Sequence, residues 1–258
     1  MSSRLLVTLL GIPAVYFFLT AGDFWRFAFI LAATWIAQFE LHKMFSDPSA
    51  PLPYMEFTLA TIILGASSKW AERGLAFSAG LSIIMLGSLI VLTGFNGTGL
   101  KRFSLGLMNL LYIPFSLSFF LMLGHLRGGE VVFAVLLAVW ALDSGAYFVG
   151  RAFRGPFIAP KISPSKTISG SIGGFLATLL SVLCLSKTNF FPFSLATTLG
   201  LGISIGIFGQ ISDLFESVLK REAGIKDSSS LLGAHGGMLD RIDSLIFVAP
   251  ISYFFLSC

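Results

Sequence analysis

Charge is what this 258-residue chain has least of. Asp, Glu, Lys and Arg make up 12% of it, against 55% hydrophobic residues and a mean hydropathy of +0.86. Soluble domains carry about 25% charged residues, so a water-soluble globule with a large core is excluded. There are two cysteines, Cys184 inside an apolar run and Cys258 at the carboxyl end. They are poor candidates for a disulfide and exclude a cross-linked secreted scaffold. Internal repeats and low-complexity tracts are absent, which removes repeat arrays from consideration. The net charge of +4 is the bias expected of a membrane protein with a positive inner side, and no nucleic-acid partner is inferred from it.

Long hydrophobic runs, by contrast, are plentiful. A spanning helix needs roughly 20 mostly apolar residues. Nine runs qualify as candidates: 5–21, 24–39, 53–68, 74–93, 104–123, 131–149, 171–185, 195–210 and 244–257. The expected fold is therefore all-α, a polytopic integral membrane protein with about nine transmembrane helices. With the amino terminus inside, twelve Lys and Arg fall in inner loops and five in outer ones, so the inner side is cytoplasmic. The first run follows Arg4 but precedes no convincing small-residue cleavage site, and it reads as an uncleaved span. Asn96-Gly97-Thr98 is a formal glycosylation sequon that this topology places inside, and it is read as chance.

The chain divides by character. Residues 1–130 are apolar spans with short loops and a Pro-rich turn over 47–53, expected to serve packing and lipid contact. Residues 131–258 form the expected catalytic region, with the longer cytoplasmic loops. Asp143 lies inside the run 131–149. A charge within a span costs about 2.5–3.5 kcal/mol on insertion scales, so such a residue usually faces a polar cavity or a partner. The pairs Gly170/Gly174 and Gly202/Gly206 have the small-xxx-small spacing of closely packed helices.

Ten of the thirty charged residues lie between Asp213 and Asp243. Just upstream, the loop 150–170 holds Arg151, Arg154, Lys161 and Lys166 among hydroxyls, glycines and prolines. Thr167 or Ser169 is placed to cap the next helix, whose free amides would then face the loop and suit a phosphate. It is not a Walker loop, because the glycine required six residues before Lys166 is Pro160. Further on, Asp213, Glu216, Ser217 and Lys220 share one face if the segment is helical. Then come Lys226-Asp227, a Ser-rich loop, and His235-Gly236-Gly237-Met238-Leu239-Asp240-Arg241-Ile242-Asp243, with Asp240 and Asp243 on one face of a helix entering the last run.

Carboxylates beside cations at the cytoplasmic ends of spans suit a Mg²⁺–phosphate complex, since Mg²⁺ takes one or two carboxylates plus waters and phosphate oxygens. Phosphoryl or nucleotidyl transfer then needs positioning and charge neutralisation, not a protein nucleophile.

From Ser217 to Asp243 the chain follows Ser-x-apolar-Lys-Arg, four residues, Lys-Asp, then His-Gly-Gly-apolar-x-Asp-Arg-apolar-Asp at fixed spacing. In this it resembles the phosphatidate cytidylyltransferases, or CDP-diacylglycerol synthases. The segments Asp143 to Tyr147, Ser163 to Thr167 and Asp213 to Ser217 are similar to the same family, whose members commonly have Pro-Gly where this chain has Gly233-Ala234. The resemblance implies Mg²⁺-dependent reaction of CTP with phosphatidic acid, giving CDP-diacylglycerol and pyrophosphate. It implies Asp213 and Asp240 as metal ligands, with Asp227 and Asp243 in reserve. Lys220, Arg221, Lys226, Asp227, His235, Arg241 and Asp243 are the expected catalytic set; Asp143, Lys166, Thr167 and Ser217 are expected to bind substrate. It further implies a homodimer in a bacterial-type inner (plasma) membrane with the site on the cytoplasmic side. Whether a second, monovalent cation joins the Mg²⁺ stays open. Two rivals are a CTP-using polyprenol kinase and a transporter with Asp143 on an ion path. The transporter expectation is charge at mid-membrane in paired repeats, which this chain lacks.

Overall fold

The computed structural model describes residues 2–45, 54–93, 99–188, 191–229, 231 and 236–257. The Pro-rich turn, the sequon, His235 with Gly233-Ala234, and Cys258 lie outside the described residues.

The chain is mostly helical: α1 (Ser2–Thr20), α2 (Asp23–Phe45), α3 (Tyr54–Thr93), α4 (Gly99–Leu110), α5 (Ser116–Arg127), α6 (Gly129–Phe153), α7 (Ile168–Leu185), α8 (Leu195–Glu222) and α9 (Leu239–Ser257). Every apolar run falls on helix. The third and fourth runs share α3, which breaks at Ala71 (φ 48°, ψ −130°). The fifth run is α4 and α5 joined by a π-turn at Leu111–Phe115; Pro114 within it has no N–H to donate, so the regular hydrogen-bond ladder cannot pass through. Among the described residues, four stretches are long and apolar enough to cross a membrane: 100–127, 129–153, 168–185 and 195–222.

One departure from an all-helical chain is the cationic loop. It folds as an antiparallel hairpin, β1 (Phe157–Ala159) and β2 (Ser163–Thr167), with Phe157 opposite Thr167 and Ala159 opposite Ser163. The tip closes by Ile162 N–H donating to Ala159 O at 3.0 Å. Prolines at 156, 160 and 164 bar helix here, and a two-stranded pairing satisfies the backbone that remains.

The core is formed by α6 and the helices around it. Val132, Val135, Val139 and Leu142 of α6 are buried with Leu201 and Ile205 of α8 and Ile246 and Val248 of α9. Glycines set the distance of α7 from α6 and α8. A β-carbon on Gly174 would lie 2.7 Å from Leu142 O, and one on Gly170 2.8 Å from Ala146 O. From α8, Gly206 and Gly202 meet Phe175 and Val182 of α7, each at 2.6 Å from an added β-carbon. Both glycine pairs thus do what their spacing suggested.

We expect Gly174→Ala to cost about 1–3 kcal/mol through overpacking. A lowered unfolding temperature of the detergent-solubilised protein checks this; an unchanged value contradicts the observed α6–α7 approach.

Candidate active site

The hairpin delivers its side chains to α8 through a helix cap. Thr167 is extended (φ −104°, ψ 155°) and its hydroxyl accepts from Gly170 N–H at 3.1 Å, starting α7. The preceding residue, Lys166, reaches across to Asp213 of α8, Nζ to Oδ2 2.5 Å. Arg221, at the far end of α8, donates from Nε to Ile162 O at 3.0 Å and from Nη1 to Ile225 O at 3.1 Å. It therefore fastens the hairpin tip to the segment that follows α8.

α8 continues past its apolar run, and its polar face is the one expected. Glu216 is fully buried, Ser217 is nearly so, and Lys220 lies between two acids. Its ammonium contacts Glu216, one turn back, and Asp240 Oδ1 of α9 at 2.7 Å. The other oxygen of Asp240 accepts from Gly237 N–H (2.8 Å), Ser228 N–H (3.0 Å) and the Ser228 hydroxyl (2.9 Å). Asp240 sits in the first turn of α9, ahead of its apolar stretch. Burial alone would raise its carboxyl, but Lys220 and the two amides outweigh this and hold it below the usual carboxylate range.

Between α6, the hairpin, α7, α8 and α9 is a cavity of about 630 Å³. Asp143, Lys166, Thr167, Asp213, Asp240, Arg241 and Asp243 all line it. The one carboxylate of the α6 apolar run thus opens on a cavity lined by other charged side chains. Lys220 and Ser217 stand behind the wall, while Arg221, Lys226 and Asp227 are exposed and outside the lining.

Asp213, Glu216 and Asp243 bring one carboxylate oxygen each to within 4.8 Å of one another. An all-oxygen donor set of this kind fits a hard divalent cation. Asp213 and Asp243 face the cavity; Glu216 does not. Asp240 faces the cavity but stands outside this triad, with its oxygens engaged as described.

Two features escaped the sequence reading. Glu40, at the end of an apolar run in the first half, is buried against Ser228, Ser229 and the start of α9. A lone acid closing a span was its only signal. Gln210 of α8 bonds Ser171 of α7: its Nε2 donates to the Ser171 carbonyl at 3.2 Å and its Oε1 accepts from the Ser171 hydroxyl. Arg151, one of the cations read in the loop, donates from α6 to the Tyr147 hydroxyl at 2.9 Å, and both line the cavity.

Acidic and basic side chains thus line one cavity, and three of the carboxylates nearby could hold a metal ion. Residues 2–258 match the Cytidylyltransferase family, and this chain belongs to it. A phosphatidate cytidylyltransferase of Thermotoga maritima is 43% identical over 157 residues, 56% of this chain and 55% of the relative. One from Bacillus subtilis is 37% identical over 149 residues, covering 57% and 55%. One from Brucella suis is 38% identical over 190 residues, covering 71% and 67%. The matched stretch spans about half the length of the first two relatives.

Lys220 is the one cation shared by two carboxylates that have little water. We expect Lys220→Met to destabilise the protein by about 3–5 kcal/mol, the usual cost of leaving a buried charge unpaired. Adding Glu216→Gln should recover part of that loss. Thermal unfolding of both variants in detergent checks this; equal stability of the single variant and wild type contradicts the pairing.

Proposed function

We propose that this chain is a phosphatidate cytidylyltransferase: CTP and phosphatidic acid react to give CDP-diacylglycerol and pyrophosphate. The observation that carries the reading is the cavity in which Lys166 and Arg241 face Asp143, Asp213, Asp240 and Asp243. The relatives' names support the choice of substrates.

In this reading a phosphate oxygen of the lipid attacks the α-phosphorus of CTP. A new P–O bond forms, the bond from the α-phosphorus to the bridging oxygen breaks, and pyrophosphate leaves with the bonding pair. No side chain needs to form a covalent intermediate. Lys166 and Arg241 hold phosphate oxygens, and Lys220, Arg221 and Lys226 extend the positive field on the loop side. Thr167 and Ser217 are polar support, and His235 keeps its expected catalytic role. Mg²⁺, when bound, neutralises charge on the transferring phosphate. Asp213 and Asp240 are its proposed ligands, with Asp227 and Asp243 in reserve; Asp243 stands beside Asp213 in the acidic triad. These carboxylates outnumber the one or two that Mg²⁺ uses, which leaves oxygens for a monovalent cation alongside.

The wider setting is proposed with it: about nine spans, an inner (plasma) membrane, the cavity on the cytoplasmic side, residues 131–258 as the catalytic region, and a homodimer with no nucleic-acid partner.

The test uses purified protein in micelles with phosphatidic acid, Mg²⁺ and CTP labelled in cytidine. We expect label in the organic phase, lost with EDTA or without phosphatidic acid. Asp213→Asn should lower turnover by about 100-fold or more, on the scale of removing one charge-stabilising group, while the protein stays folded. Label from the γ-phosphate entering an added polyprenol, with cytidine remaining aqueous, would establish a lipid kinase instead.

A further inference from the structure

Glu40 makes an unusual set of contacts for an acid contributed by a hydrophobic run. Its side chain is 2% exposed, and four donors converge on it. Oε1 accepts from the Ser229 hydroxyl (2.5 Å) and Met238 N–H (3.0 Å). Oε2 accepts from the Ser228 hydroxyl (3.0 Å) and Leu239 N–H (2.8 Å). Leu239 is the first residue of α9. Glu40 thus caps α9 from another helix, where amides lack intrahelical partners and the helix dipole favours a negative group.

The contact is built from both sides. A β-carbon on Gly237 would lie 2.6 Å from both Glu40 carboxylate oxygens and 2.0 Å from the Ser228 hydroxyl. Only glycine lets the backbone come this close. Gly236, beside it, holds a positive φ of 77°, which turns the chain into the helix. The Ser228 hydroxyl lies between Glu40 and Asp240, which are both acceptors when ionised, so its single proton serves the two. From there the path runs through Asp240 to Lys220 and Glu216 on α8.

We propose that Glu40 is a positioning residue: through Ser228 and the first amides of α9 it fixes Asp240, Arg241 and Asp243 at the cavity. An ionised carboxylate accepts all four bonds, whereas an amide has one accepting oxygen and a nitrogen that would face donors. The amino-terminal helices are then part of the site's framework as well as its lipid-facing wall. This inference rests on the cytidylyltransferase reading for its catalytic consequence, and on geometry alone for the anchoring itself.

The test pairs two readouts on the full chain in detergent, with Glu40→Gln and Gly237→Ala. Amide hydrogen exchange over 236–240 should quicken about tenfold or more in both variants, as local opening becomes easier, while exchange in the middle of α6 is unchanged. The Mg²⁺ concentration giving half-maximal cytidylyl transfer should rise about tenfold, within the range typical of groups that orient metal ligands. A residue that merely supported folding would lower the amount of active protein without shifting that concentration. Gly237→Ala perturbs the contact from the loop side and leaves α2 intact, so it decides the matter if Glu40→Gln does not fold. Unchanged exchange at 236–240 in a folded variant overturns the anchor. Faster exchange with an unchanged Mg²⁺ requirement overturns the positioning role. If the wild type transfers no cytidine, the functional reading fails, while the exchange result still decides the anchor.

Discussion

The structure depends on keeping charge compensated where apolar helices end. Lys220 is the central case: it is held between Glu216 and Asp240, in a place where none of the three has much water. Removing charges from water carries a penalty that mutual attraction repays only with good geometry and further hydrogen bonds. Neighbouring residues supply part of this. Ser228 and Gly237 donate to Asp240, Lys166 pairs with Asp213, and Arg221 ties the hairpin tip to the end of α8. These contacts border the cavity in which the charged side chains meet.

The chemistry proposed for this site has the same requirement. Transfer at phosphorus asks for fixed positive and negative groups around the phosphates, arranged before the substrate arrives. The glycine contacts between α6, α7 and α8 give the rigid base for such an arrangement, because α6 carries Asp143 and α8 carries Asp213. The hairpin then brings Lys166 over that base from a cap that also starts α7. There its ammonium pairs with Asp213, and in the proposed mechanism it holds a phosphate oxygen.

Much of this was legible in sequence where the signal is local. The cap at Thr167 or Ser169, the polar face from Asp213 to Lys220 and the two glycine pairs follow from spacings of a few residues, and the cavity-facing Asp143 from the cost of a charge inside an apolar run. The hairpin was less legible, because three prolines in a cationic loop exclude helix without choosing between coil and strand. Asp240 was read as a metal ligand by resemblance; its bonds to Lys220 and to Ser228, 12 residues away, come from packing. The partners of Glu40 were invisible for the same reason. The acid is 199 residues from Leu239, and no periodicity in either segment points to the other.

The most direct test of the account is whether the acidic wall of this cavity binds a divalent cation. Mn²⁺ reports this by electron paramagnetic resonance, titrated into the purified protein with CTP and compared with Asp213→Asn and with CTP alone. The account predicts a tightly bound ion in the wild type, and weakening by about tenfold or more in the variant, as expected for loss of one of few carboxylate ligands. Equal binding by the two folded proteins would contradict it, and the cavity's carboxylates would then need another explanation.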